Sequence, residues 1–360
     1  MPKFIEVVPA YPHSLPLLRY MEDYFFWPAR LMMDKGFDVE FLTTQKGADK
    51  ELCNGVVVRR FGSAFSVLSY INKDKETRLV HSHLRPYPPT FLSSFSNKPK
   101  ILSPHTYLFS PNPLIAGLSV MVMKKFDKII AFTSYERDIY LRAGIEGKKI
   151  VIIPHPVDHE FYSASVKNKG AIREKLGING EFVVVTVANV RKFKRIETLL
   201  RAFKIVSSKI KSKLIVVGED LLWKEKAPSV SDMVKQIGVK GVIQAGVLMP
   251  EKVREILAIA DVFVNTSDNE AQGLAVYEAA AAGIPLCLSG IGSFTSVFGS
   301  LAHYHDYWNH EKLADNLLYC HSNRRESVER GRKLKAFVRA WDFTALRKKT
   351  ESLYEEIMRR

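Results

Sequence analysis

Residues 267–285 constrain the fold of this chain more than any other stretch. They read Ser-Asp-Asn-Glu-Ala-Gln-Gly-Leu-Ala-Val-Tyr-Glu-Ala-Ala-Ala-Ala-Gly-Ile-Pro and lie between two apolar runs, 261–265 and 285–289. Both runs have the length and composition of short buried strands. Residues 274–282 are strong helix formers, ended by Gly283. Strand, polar loop, helix and strand in that order make a crossover unit of a parallel sheet. The same alternation runs through the whole chain. Strand-like runs fall at 4–9, 39–43, 56–60, 79–81, 101–103, 128–132 and 150–153, then at 182–187, 213–217, 242–245, 262–265 and 286–288. The polar stretch 163–170 separates the two series. The pattern predicts an α/β protein with two doubly wound Rossmann-like domains, the carboxyl ends of both sheets facing a central cleft. The expected domains are residues 1–164 and 165–343, with a terminal helix over 344–360.

The central stretch carries two carboxylates, Glu270 in the loop and Glu278 on the helix, with Gly273 where the helix begins. A helix start offers unpaired backbone N–H groups and partial positive charge, which suit a phosphate. Gly273 lets the backbone approach such a group closely. Carboxylates on either side of a phosphate are tolerated when they accept hydrogen bonds from sugar hydroxyls. A nucleotide-sugar has that layout, so Glu278 is read as a ribose ligand, the Gly273 and Leu274 amides as phosphate ligands, and Glu270 as a sugar ligand. The competing reading makes Glu270 a cap and Glu278 a solvated helical residue.

The stretch resembles the signature of retaining glycosyltransferases of family 4, which have the two-domain GT-B fold. Glu270, Gly273, Leu274, Glu278, Ala279, Gly283 and Pro285 stand in register, while Ala271 and Gln272 replace the usual Gly and Phe. The resemblance extends over nearly the whole chain. Arg191, Lys192, Lys194 and Arg195 place four cations in five positions before a helix beginning at Ile196. Such a cluster opposes the helix dipole unless an anion sits there. In the family this loop holds the donor pyrophosphate through a Lys, here Lys194, and an Arg, here Arg191. Val217-Gly218-Glu219 and Ala245-Gly246-Val247 match turns that contact the base through backbone atoms. Ser103-Pro104-His105-Thr106 resembles a loop whose His touches the transferred sugar, and Ile153-Pro154-His155-Pro156 stands where Ile-Pro-Asn-Gly is usual. The glycine loop after the first strand is replaced by Arg19-Tyr20-Met21-Glu22, with Arg19 a candidate substitute for its amides. The usual Glu after Gly290-Ile291-Gly292-Ser293-Phe294 is missing. Trp341-Asp342-Phe343 precedes the last helix, which in the family returns to the first domain. The resemblance implies retaining, metal-independent transfer of a hexose from a nucleoside diphosphate sugar, with no further cofactor.

Other features restrict the partners. His81-Ser82-His83 invites a metal reading, but no third ligand has suitable spacing in the sequence. Cys53, Cys287 and Cys320 are dispersed and form no disulfide framework. The net charge of +15 favours anionic partners. Cations are scattered rather than interleaved with aromatics along a stripe, so nucleic acid is not an expected partner. The chain begins directly with a strand-like run, and the apolar run 113–123 is too short to span a bilayer. The expectation is a cytoplasmic protein, peripheral at the anionic inner membrane face, with a sugar or lipid-linked acceptor for glycolipid, lipid-linked oligosaccharide or polysaccharide synthesis. Two alternatives remain open from the sequence: a GT-B sugar-nucleotide epimerase and a basic nucleic-acid-binding protein.

Overall fold

In the computed structural model, residues 1–9, 19–83, 87–105 and 112–359 are described, with the side chains of 19–25 left aside. Ala10-Tyr11-Pro12 at the end of the first strand-like run, Thr106, and the side chains of Arg19 and Glu22 therefore lie outside the described residues.

The chain divides into two compact units, Met1–His155 with Thr344–Arg360, and Pro156–Phe343. The polar stretch 163–170 is thus not the junction. It lies within the second unit, where the Ser163 carbonyl accepts from Lys335 Nζ at 2.7 Å. Polar composition there reflects solvent exposure of a loop between two short helices, His159–Ser163 and Lys169–Lys175.

The first unit is built on eight strands: β1 (Lys3–Val7), β2 (Asp38–Thr43), β3 (Lys50–Cys53), β4 (Val56–Arg60), β5 (Thr77–His83), β6 (Lys100–Ser103), β7 (Lys128–Ala131) and β8 (Ile150–Ile152). They form one sheet in the order β3-β4-β2-β1-β5-β6-β7-β8. All neighbours are parallel except β3 and β4. Strand order reverses between β1 and β5, and the carboxyl end of such a reversal is where doubly wound sheets bind ligands. The helix Phe343–Met358 belongs to this unit. It buries Leu346, Leu353, Tyr354 and Ile357 there.

The apolar segment expected at 113–123 is the helix Pro113–Met123, capped by the Asn112 side chain on the Leu114 amide at 2.9 Å. Ser119, Val122 and Met123 pack inward. Leu114, Ile115, Leu118 and Met121 are exposed, with Leu114 at 83%. A crossover helix of a soluble sheet ordinarily turns polar residues outward. This one is apolar on both faces.

The second unit contains β9 (Phe182–Val187), β10 (Ser212–Val217), β11 (Val242–Gly246), β12 (Val262–Asn265), β13 (Leu286–Ser289) and β14 (His303–His305). Their order is β11-β10-β9-β12-β13-β14, all parallel. Five of the six β9 residues are buried, as continuous apolar strands covered on both faces must be. Packing on one face gathers Leu199, Phe203 and Val206 of the helix Ile196–Lys209; the other gathers Val276, Ala280 and Phe294. The reversal of strand order falls between β9 and β12. Among the described residues, no helix is long and apolar enough to cross a membrane.

Candidate active site

At the reversal in the second sheet, the loops that follow β9 and β12 are laced together. Thr266 Oγ1 donates to the Lys194 carbonyl at 2.7 Å, and the Asp268 amide donates to the Phe193 carbonyl at 2.8 Å. These bonds bring Lys194 and Glu270 together. Lys194 Nζ donates to Glu270 Oε1, an oxygen that also accepts from Ser267 Oγ at 2.8 Å and from Asn265 Nδ2 at 3.4 Å. Arg195, in left-handed conformation at φ 48°, pairs with Asp268 at 2.6 Å. The cationic cluster therefore meets chain carboxylates at two of its four positions, which revises the expectation that only an external anion could neutralise it. Arg191 makes no ion pair among the described residues; with Lys192, Arg195, Arg201, Lys204 and His310 it lines an open groove of about 570 Å³.

Gly273 precedes the helix Leu274–Ala281 with φ 74°, a conformation that L side chains rarely adopt. A Cβ there would meet the Phe294 ring at 2.9 Å, so the glycine is required by packing as well as by backbone. Glu278 is only 4% exposed, which removes the solvated reading of that residue. Gly218 closes the turn after β10. Its amide donates to the Gly246 carbonyl at 2.7 Å, and a Cβ would lie 1.9 Å from the Ala188 carbonyl oxygen. The loops after β9, β10 and β11 are thereby drawn close. Gly246 is itself left-handed at φ 63°, with open space around it. Another cavity of about 820 Å³ lies beside Phe182, Asp261 and Pro285, at the amino ends of the strands and away from these groups.

His105 lies in the first unit, at the carboxyl end of β6, with φ 55°. Its two ring nitrogens both face other imidazoles: Nε2 is 2.9 Å from His83 Nδ1, and Nδ1 is 3.1 Å from His155 Nε2. His83 Nε2 in turn lies 3.1 Å from Glu6 Oε2. Burial pushes His105 and His81 down to about 3, with His105 adding to the effect on His81. Burial first, and neighbouring imidazoles second, also lower His83 and His155. Burial raises Glu6. All four rings are therefore neutral near neutral pH.

The third group missing from the H-x-H pattern exists in space. Glu6, opposite His81 across β1 and β5, brings a carboxylate within 4.8 Å of both His81 and His83 ligand atoms. His81 already uses both nitrogens, toward Ser103 Oγ at 2.8 Å and the Tyr354 hydroxyl at 2.9 Å. Glu6 and Tyr354 escaped the sequence reading, and His155 was noted there only as a replacement for Asn. A buried acid on a strand looks like ordinary alternation, and Tyr354 comes from the far end of the chain. The one available signal was His155 in place of a smaller polar residue.

The family model for Glycosyltransferase Family 4 matches residues 29–161, and that for Glycosyl transferases group 1 matches residues 168–336. The alpha-monoglucosyldiacylglycerol synthase of Acholeplasma laidlawii is 31% identical over 188 residues, covering 49% of this chain and 46% of that protein. The aligned part spans about half the length of the relatives it matches. Among solved structures, sucrose-phosphate synthase from Thermosynechococcus elongatus superposes with TM-score 0.82 at 16% identity, over 99% of both chains. Anabaena Alr3699/HepE, solved with UDP-glucose, gives TM-score 0.80 at 15% identity, over 98% of this chain and 99% of that one. At such identities the structural likeness concerns the fold.

Proposed function

Because this chain belongs to the GT-B glycosyltransferases of the family-4 type, we propose that it transfers a hexose from a nucleoside diphosphate sugar, with retention, to an acceptor hydroxyl at an anionic membrane surface. The observation that carries the donor half is the convergence of Lys194, Glu270 and the Gly273 helix start on the reversal between β9 and β12. Lys194 and Arg191 neutralise charge that develops on the leaving nucleoside diphosphate, an electrostatic contribution worth several kcal/mol in preorganised sites, about 3 kcal/mol for a single donor. The amides of Gly273 and Leu274 hold a phosphate, Glu278 the ribose and Glu270 the hexose. The backbone at Gly218 and Gly246 borders the base. No metal ion takes part in the step, and a donor phosphate oxygen accepts the acceptor's proton. A structural relative solved with UDP-glucose supports this donor class.

The acceptor half rests on the Pro113–Met123 helix. Its exposed Leu114, Ile115, Leu118 and Met121 are followed by exposed Lys124 and Lys125. Lys125 Nζ sits 4.7 Å over the ring of Phe95, itself 47% exposed. Apolar side chains beside cations match an anionic bilayer, each cation adding about 1 kcal/mol near the surface. The synthase from Acholeplasma laidlawii, named for a glycolipid product, supports a lipid acceptor.

The test is a panel of nucleoside diphosphate hexoses offered with and without anionic vesicles carrying hydroxylated lipid. Acceptor-dependent release of nucleoside diphosphate and an α-linked product from an α-linked donor are expected. Acceptor-independent release, or an epimerised sugar nucleotide as product, overturns the reading. Leu118→Asp should abolish vesicle sedimentation at low salt while leaving nucleotide binding intact.

A further inference from the structure

Cys287 and Cys320, 33 positions apart, bring their sulfurs to 4.0 Å in the core of the second unit. Cys287 lies in β13 and Cys320 in the helix His310–Ser322. Both are buried in one apolar cluster with Val264, Leu313 and Leu317. Their surroundings differ in two respects. Cys320 lines the cavity of about 820 Å³ at the amino ends of the strands, beside His321 and Arg324, and Cys287 does not. Cys287 stands two residues before Ser289, whose hydroxyl donates to the Ser267 carbonyl at 2.6 Å. Ser267 Oγ in turn donates to Glu270. We propose that Cys320 and Cys287 form a peroxide-reactive thiol pair, and that its disulfide lowers transfer by displacing β13 from the Glu270 loop. The loss of transfer rests on the glycosyl-transfer reading; the thiol chemistry does not.

Access decides which sulfur reacts first. Hydrogen peroxide in the cavity meets Cys320 and not Cys287. The contact with Cys287 holds the Cys320 thiol below its ordinary 9.0 against burial, with His303 and Ser327 adding to the effect. The same contact, with burial, pushes Cys287 up. The thiolate is the reactive form, so Cys320 is the better nucleophile of the two. Its sulfur attacks one peroxide oxygen and the O–O bond breaks. The departing hydroxide takes up the proton that Cys320 has lost and leaves as water. Cys320 is now a sulfenic acid. The Cys287 sulfur attacks the Cys320 sulfur, the S–S bond forms and the S–O bond breaks. The hydroxyl leaves with the Cys287 proton as a second water. The two thiols have lost two electrons and two protons, and the peroxide has been reduced to water. An external dithiol reverses the bond by exchange, so the pair is a switch and not a structural staple.

The consequence for the site follows from distance. Closing a gap of 4.0 Å to a bond of about 2 Å moves strand, helix or both by about 1 Å. Ser289 faces the same side of β13 as Cys287, because alternate residues of a strand share a face. Its bond to the Ser267 carbonyl passes the movement to the loop that holds Glu270. A misplacement of about 1 Å costs up to about 10²-fold in rate.

The experiment treats the whole chain, carrying Cys53→Ser to remove the third thiol, with hydrogen peroxide. The reaction is quenched under denaturing conditions with a thiol alkylator. Mass spectrometry should find Cys287 and Cys320 in one cross-linked peptide pair, lighter by two hydrogens and released by dithiothreitol. Alkylated thiols at both positions overturn the proposal. In Cys287→Ala the sulfenic acid should persist on Cys320 and be trapped by dimedone. In Cys320→Ala, Cys287 should stay unmodified and transfer should be indifferent to peroxide. Trapping at Cys287 overturns the order of attack. The cross-link itself is read in the unsubstituted pair, so a variant that fails to fold leaves the test decisive. Oxidation should speed amide hydrogen exchange at residues 265–270. It should also lower kcat with a nucleoside diphosphate hexose about tenfold or more, reversibly. A disulfide that leaves exchange at 265–270 unchanged overturns the link to Glu270. A chain that closes the bond and speeds that exchange, yet transfers no sugar, fails the transfer reading and leaves the switch standing.

Discussion

Lys194 and Glu270, 76 positions apart in sequence, meet in one ion pair at the end of the second sheet. Their side chains are 19% and 11% exposed, so neither charge is well solvated. The pair joins the loop expected to hold phosphate to the loop expected to hold the sugar. On the proposed donor reading, a phosphate at Lys194 would compete with Glu270 for the same ammonium, and a sugar hydroxyl would then replace the ammonium on the carboxylate.

This sharing predicts that Lys194→Ala reduces transfer by about 10²-fold or more, as loss of a preorganised charge-stabilising group does. It also leaves Glu270 half-buried without its cation, a further cost. Glu270→Gln should restore part of the stability lost in Lys194→Ala without restoring turnover. A double-mutant cycle read by both thermal melting and initial rate separates the two effects. Independent, additive losses in both readouts would count against a shared pair.

Glu278 and Glu270 should separate in their kinetic effects. Glu278→Ala is expected to weaken nucleotide binding by about 1.5–3 kcal/mol per lost hydrogen bond. Glu270→Ala is expected mainly to lower turnover. Calorimetry with free nucleoside diphosphate, beside steady-state rates, distinguishes them. Equal losses of nucleotide affinity in the two variants would remove the assignment.

Gly218→Ala should be among the most damaging single changes in the second unit. The new methyl would sit 1.9 Å from the Ala188 carbonyl oxygen, which is backbone and has no flexible end to swing away. The φ of 129° adds strain. Losses above about 4 kcal/mol are expected from combined overlap and strain. Gly246→Ala, at φ 63° but in open space, should cost about 1 kcal/mol. Denaturant titration of the two variants reads the contrast, and equal losses would show that the turn relaxes freely.

The order of these elements was legible because parallel strands are buried on both faces and show as apolar runs. All twelve strand-like runs are strands in the structure. The two that were missed are edges. Lys50–Cys53 alternates between exposed and half-buried, and His303–His305 is a three-residue polar strand. Edge strands are covered on fewer sides, so their composition carries less signal. In the site, Gly273 and Gly218 were readable because positive φ and close approach demand glycine. The Lys194–Glu270 pair and the Glu6–His83 contact were not, because they depend on how separate loops and strands come together. The exposure of the outer face of Pro113–Met123 was not readable for the same reason: composition reports how apolar a helix is, not which side is covered.

Acid should loosen the first unit through Glu40. This carboxylate sits among Arg59, which donates to it twice at 2.9 Å, the Tyr70 hydroxyl, and Lys3 at 3.5 Å. Burial alone would raise it, but the bonds from Arg59 and Tyr70 and the charge of Lys3 outweigh burial and hold it below its ordinary 4.5. A carboxyl depressed in the folded chain contributes stability above its unfolded value. That contribution is lost as pH falls through the folded value, because the unfolded chain binds the proton first. Glu40→Gln keeps the shape and removes the charge. Urea titrations at about pH 7 and about pH 3 should therefore show a wild-type advantage over Glu40→Gln that shrinks on acidification. An advantage of the same size at both pH values would mean that Glu40 contributes through packing and not through its charge.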